Sequence, residues 1–158
     1  MSEYSVCQCP CGATQLPLKR APLSRFRCHC LVCQHVYNKP FGSPTVLWHH
    51  DLGEVNRDQI VFTVQRRFPF RIDCGTCASC QAPVLGFSRI LPFLSLAYIP
   101  ESMYSDCEQL PPVAGHLFYE HRVNDVEDAL PKCSGLLASE WGVARFVLRG
   151  VLLRLLNV

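Results

Sequence analysis

Short apolar runs alternate with proline, glycine and polar breaks over much of the chain. Residues 45–48 (TVLW), 60–64 (IVFTV), 83–87 (PVLGF), 93–98 (FLSLAY) and 116–119 (HLFY) are rich in β-branched and aromatic side chains. Runs of this length between turn residues predict strands. The 12 prolines are spread over the whole length, which leaves little room for long helices before the tail. One short helical turn is expected at 31–37. Residues 135–158 differ in kind, since they lack proline and are rich in Leu, Val and Ala. They predict a C-terminal helix in spite of Gly142 and Gly150. Apolar residues cover most of its circumference, so burial against the sheet or against a partner subunit is expected. The pattern thus reads as mainly β, with a β domain over 1–134 and an apolar tail over 135–158.

Composition narrows the classes. With 158 residues, 49% of them apolar and 18% charged, the chain suits one folded domain. A net charge of +2 is too small to argue for nucleic acid or an anionic membrane surface. The longest nearly apolar stretch, Phe146 to Val158, is interrupted by Arg149 and Arg154 and falls short of the ~20 residues of a bilayer span. The N-terminus has no basic region followed by an apolar run, so a soluble, cytoplasmic protein is expected. In a reducing compartment, 11 cysteines point to metal rather than to a disulfide framework.

Most cysteines fall in three clusters: Cys7, Cys9 and Cys11; Cys28, Cys30 and Cys33; Cys74, Cys77 and Cys80. A Cys-x-x-Cys step offers two thiolates from one tight turn, and two distant half-sites complete a closed tetrahedral zinc cage. The first and third clusters are natural partners, with Cys7/Cys9 and Cys74/Cys77 as alternative ligand pairs. The middle cluster offers three thiolates from one segment, which leaves one position open, as in an exchangeable or catalytic zinc site. Three thiolates give the centre a net charge of about −1 and make it a weak Lewis acid toward water, better suited to a soft sulfur ligand. An iron–sulfur site and disulfides are the rival uses of such cysteines. Cys107 and Cys133 stand alone and are expected to be unligated thiols.

The ordered motifs resemble the glutathione-dependent formaldehyde-activating enzyme family, which includes the centromere protein V domain. Cys9-Pro10-Cys11-Gly12 matches its Cys-x-Cys-Gly opening, and Cys28-His29-Cys30-Leu31-Val32-Cys33 its Cys-His-Cys-x-x-Cys. Cys77-Ala78-Ser79-Cys80, the stretch from Pro112 to Phe118 around His116, and Asp128-Ala129-Leu130-Pro131 follow in family order, so the likeness runs from about Cys9 to Lys132. The resemblance implies an Mss4-like β-sheet fold with two Zn2+ sites. Cys9, Cys11, Cys77 and Cys80 would hold a structural ion, and Cys28, Cys30 and Cys33 the functional one. It implies carbon–sulfur lyase chemistry on adducts of formaldehyde, or another aldehyde, with glutathione or a similar small thiol. A non-catalytic zinc scaffold that binds a thiol or a protein partner is the alternative.

This chain departs from the family at Gln81, where most members have glycine, and at Gln34 and Asn38, where many have a basic residue and a glycine. Asn38 is expected to keep the left-handed turn, which asparagine tolerates. His29, between two ligands, is the candidate proton carrier beside the open position, against the alternative that its ring faces away. His116 draws interest through the resemblance alone, while His49, His50 and His121 read as surface or packing residues. Arg66, Arg67 and Arg71 form a basic group that could clamp glutathione's carboxylates or simply line a solvated strand face. The tail is the expected route to any homo-oligomer.

Overall fold

The computed structural model describes residues 5–67, 70–91, 94–106 and 109–156, with the side chains of 66, 67, 70, 90 and 91 outside that description. Cys107 and the first and last residues of the chain lie outside it too. The described strands and α-helices are β1 (Ser5–Gln8), β2 (Gln15–Leu18), β3 (Ser24–Cys28), α1 (Leu31–Tyr37), β4 (Pro44–Trp48), β5 (Ile60–Arg67), β6 (Phe70–Cys77), β7 (Pro83–Leu91), β8 (Leu94–Pro100), β9 (Val113–Leu117) and α2 (Leu136–Leu156). The fold is mainly β with a C-terminal helix. None of the described helices is long and apolar enough to cross a membrane.

The chain forms two compact units, Met1–Ala21 with Val46–Leu110, and Pro22–Thr45 with Pro111–Val158. In the first, β1 and β2 pair antiparallel with Cys7 opposite Leu16. Strands β5, β6, β7 and β8 form an antiparallel meander, with β4 beside β8. Alternation along β2 sends Leu16 and Leu18 inward, where they join Leu47, Val84, Ala97, Ile99 and Met103 in a core that also takes up Cys7, Cys9 and Cys77. Strand β6 (FRIDCGTC) has no apolar alternation of the kind expected from a single buried face. It forms because β5 and β7 pair with it on both sides, and because Gly75 lets them approach: a Cβ there would lie 2.7 Å from Ile60 Cγ2 and 2.9 Å from the Phe62 ring.

In the second unit β3 runs parallel to β9, with Arg27 opposite His116 and Cys28 opposite Leu117. The strand expected at 116–119 begins and ends earlier. Pairing stops at Leu117, Phe118 is left-handed (φ 53°), and Tyr119–His121 is a 3-10 turn. The tail forms the expected helix and packs against β3 and β9 through Ser139, Gly142, Phe146, Val147 and Gly150. Its Phe146 ring meets Phe26 at 6.4 Å between centroids, and the Ser139 hydroxyl accepts the Phe118 N–H at 2.9 Å. The opposite face, with Leu137, Trp141, Leu148, Leu152 and Leu155, is exposed, so burial is confined to one side of the helix.

Candidate metal centres

Two tight turns in the first unit build a four-thiolate site. After β1 the chain doubles back, with Gly12 N–H donating to Cys9 O at 2.7 Å and Cys9 N–H to Thr14 O at 2.8 Å, and Gly12 takes a positive φ of 80°. After β6 the chain makes a similar turn, in which Gln81 N–H donates to Cys77 O at 2.9 Å and Cys77 N–H to Ala82 O at 2.8 Å. Gln81 there has φ 62°. The turns bring together Cys9, Cys11, Cys77 and Cys80, with Sγ separations of 3.3 Å (Cys9–Cys80), 3.5 Å (Cys9–Cys11) and 3.6 Å (Cys11–Cys77). Ligands at ~2.3 Å around a tetrahedral ion stand about 3.8 Å apart, so the four sulfurs fit one ion. They are too far apart for disulfide bonds of about 2.05 Å, and no disulfide joins any of the described cysteines. A multi-iron cluster would spread its thiolates more widely.

Electrostatics inside this cage are uneven. Burial pushes the Cys9 thiol up to about 12. Burial also raises Cys77, but the Thr14 hydroxyl and the backbone N–H groups of Cys80 and Ser79 outweigh it and bring that thiol down to about 6. One thiolate is therefore ready at neutral pH, and a bound cation would draw the remaining protons off. Cys7 and Cys74, the alternative ligands, are buried outside both ligand groups, and Cys7 is part of the apolar core. Burial holds the Cys7 thiol up at about 12, against a hydrogen bond to Tyr104.

The second unit holds Cys28, Cys30 and Cys33 with their sulfurs within 4.8 Å of one another. Cys28 ends β3, Cys30 is the N-cap of α1, and Cys33 lies in its first turn, its N–H donating to Cys30 Sγ at 3.4 Å. Asn38 closes the helix at φ 48°, ψ 44°, with its N–H directed at Gln34 O and His35 O, so the asparagine keeps the left-handed turn. The chain then folds back, and Cys28 and Gly42 exchange two backbone hydrogen bonds of 2.9 Å. A Cβ on Gly42 would lie 2.9 Å from the Tyr37 ring and 3.2 Å from Cys33 Cβ, so only glycine fits behind the ligands. Hydrogen bonding to Cys30 is the main influence that raises Cys28, to about 12, and the thiols of Cys28 and Cys30 hold Cys33 well above its ordinary value. Among the described residues no fourth side chain completes this group.

His29 is buried, and its ring nitrogens are not part of the thiolate group. The ring sits among Phe41, His116 and Tyr119, with Nε2 2.9 Å from His116 Nδ1. His116 Nε2 in turn lies 2.9 Å from Asp128 Oδ2. Burial, then the charges of His116, Arg27 and Arg122, lower the His29 imidazole to about 4. Gln34 donates its amide to His29 O at 2.6 Å and to His121 O at 2.7 Å, so the position that is basic in many relatives serves here as a clasp between α1 and the 119–121 turn. Asp128, whose only signal in the sequence is the Asp-x-Leu-Pro phrase of the family resemblance, joins this network.

The remaining candidates stand apart. His49 and His50 are exposed, the former against Phe87 and the latter stacked on Trp48, and His121 is exposed beside Glu120. Arg71 is exposed and paired with Asp73 at 2.9 Å, while the side chains of Arg66 and Arg67 lie outside the described residues. Cys133 is half-buried, outside both ligand groups, and a Cβ on Gly142 would meet its sulfur at 3.1 Å.

Comparison with known families agrees with this arrangement. The profile of the glutathione-dependent formaldehyde-activating enzyme family matches residues 5–121, which include every cysteine of both groups. No curated protein matches the chain. With three-quarters of its length matched and both thiolate groups assembled, the chain belongs to the glutathione-dependent formaldehyde-activating enzyme family.

Proposed function

We propose that this protein is a zinc enzyme that joins glutathione, or a similar small thiol, to formaldehyde or another aldehyde, and cleaves the adduct in reverse. The observation that carries the reading is the convergence of Cys28, Cys30 and Cys33 without a fourth protein ligand, in a chain of this family. Both sulfur sets suit Zn2+: four thiolates at tetrahedral spacing for a structural ion, three for an ion with one position left to substrate. An ion in the second site supplies an electrophilic centre that favours the thiolate form of an incoming thiol. The rest is the work of this chain's own residues. Cys28, Cys30 and Cys33 fix where the substrate sulfur comes to rest, and Gly42 and the Gln34 clasp hold that segment in place. In the addition a sulfur–carbon bond forms, the carbonyl π bond opens, and the thiol proton ends on the new hydroxyl. His29, next to two of the ligands in sequence, is the candidate to relay that proton: its imidazole stays neutral at neutral pH, with one nitrogen to donate and one to accept.

The test is NMR exchange spectroscopy with carbon-13 formaldehyde and glutathione. Metal-loaded protein should accelerate formation and breakdown of the hydroxymethyl thioether, and Cys30→Ala should lose the acceleration. Glutathione binding with no change in either rate would favour a thiol-binding scaffold.

A further inference from the structure

The three polar side chains beyond the thiolates form one ordered chain. The Asp128 carboxylate can only accept, so His116 Nε2, 2.9 Å from Oδ2, carries a proton and donates it. With neutral rings, His116 Nδ1 is then bare and accepts, and His29 Nε2, 2.9 Å away, is the donor. This leaves the proton of His29 on Nε2 and a lone pair on Nδ1. That nitrogen is buried, and no hydrogen-bond partner meets it among the described residues, although the residue is only 1% exposed. Leaving a buried acceptor without a donor is unfavourable, and the rings packed around it, Phe41 and Tyr119, make no hydrogen bond to it.

We infer that Asp128 and His116 are positioning residues that lock His29 in one tautomer, and that its bare Nδ1 is a binding site for a single small hydroxyl donor. Two sources share that chemistry: a buried water, and the hydroxyl of the thiol–aldehyde adduct. Only the second source rests on the function proposed above. A carboxylate that fixes a histidine tautomer through a hydrogen bond is a familiar device of metal and catalytic sites. Here it acts through an intervening imidazole.

The carboxylate's own contacts make the lock testable. Asp128 Oδ1 accepts from Lys132 Nζ at 2.8 Å and from Leu130 N–H at 3.2 Å, while Oδ2 faces His116. In Asp128→Asn those donors keep the amide oxygen on their side, so the NH2 group is presented to His116. His116 Nε2 must then accept, its Nδ1 must donate, and the proton of His29 moves to Nδ1. The experiment is nitrogen-15 NMR of histidine-labelled, metal-loaded protein at pH 8, where ordinary imidazole is neutral.

Wild type should show a pyridine-type Nδ1 and a pyrrole-type Nε2 at His29, and Asp128→Asn the reverse. A pyrrole-type Nδ1 in wild type, or an unchanged tautomer in folded Asp128→Asn, overturns the lock. If that variant does not fold, the wild-type assignment decides alone. Next, glutathione and formaldehyde are added together, and glutathione by itself. A shift of the Nδ1 resonance with the pair alone identifies the adduct hydroxyl. No shift, with a water cross-relaxation signal at the His29 ring, identifies water. Neither signal overturns the binding site. Loss of adduct turnover with the tautomer as assigned would reject the proposed function while leaving the lock intact.

Discussion

Gln81 shows how one side chain can be at odds with its backbone. The turn after Cys80 needs a left-handed residue, and at φ 62° a non-glycine side chain costs about 1–2 kcal/mol. Gln81 is exposed, so burial contributes little to offset this. Gln81→Gly should therefore raise stability by about 0.5–1 kcal/mol, after the larger entropy of an unfolded glycine is deducted, as read from thermal unfolding. Asp128 gives a prediction in pH. The Lys132 ammonium, and then His116, hold its carboxyl below the usual carboxylate range. A carboxyl depressed in the folded state adds stability that is fully present above its unfolded value, about pH 4, and is lost as the pH falls below it. The gap in melting temperature between wild type and Asp128→Asn should thus shrink as the pH drops below about 4. The left-handed turn at Asn38 was legible in the sequence, because asparagine tolerates it. The Asp128–His116–His29 chain was not, because His29 and His116 are far apart in sequence and meet only where β3 pairs with β9, while Asp128 returns to His116 from the segment after β9.

At the scale of elements, α1 and the thiolate group around it are nearly continuous in sequence, whereas the four-thiolate cage draws on two separate turns. Their loss should have different consequences. Cys30→Ala should remove one metal ion per chain and leave the far-ultraviolet circular dichroism unchanged. Cys77→Ser should remove the other ion and lower the unfolding temperature, because that cage ties the β1–β2 turn to the end of β6. Elemental analysis and thermal melts on both variants check this. Helix α2 offers a second contrast. A Cβ on Gly150 would lie 2.0 Å from Leu23 O, so Gly150→Ala should cost about 1–3 kcal/mol although alanine favours helices. Leu152→Gln, on the exposed face, should change stability by no more than about 0.5 kcal/mol. Strands β4, β5, β7 and β8 were visible as apolar runs. Strands β1, β2, β3 and β6 were hidden, because cysteine, glutamine, arginine and proline occupy many of their positions and pairing with neighbours supplies what propensity does not.

For the whole molecule, each compact unit contains one thiolate group and is assembled from two stretches of chain. An ion held by three thiolates should leave before one held by four. Titration of protein loaded with metal at both sites with a chelator, followed by a metal-sensitive dye, should give two phases of about one ion each, and Cys30→Ala should keep the slower one alone. The sequence by itself determined the chemistry: which side chains carry sulfur, how they are spaced, and where turns can form, since these depend on neighbours along the chain. It also announced the C-terminal helix, whose composition suits no other element. Tertiary structure decided which cysteines of the first and third clusters meet, leaving Cys7 and Cys74 out, and it gave Gln34, a departure from the family pattern, the part of a clasp. It also set His29 against His116 and made glycine obligatory at Gly42, Gly75 and Gly150. Spacing along a chain fixes local geometry, but the distance between remote groups is set only when strands pair and helices pack.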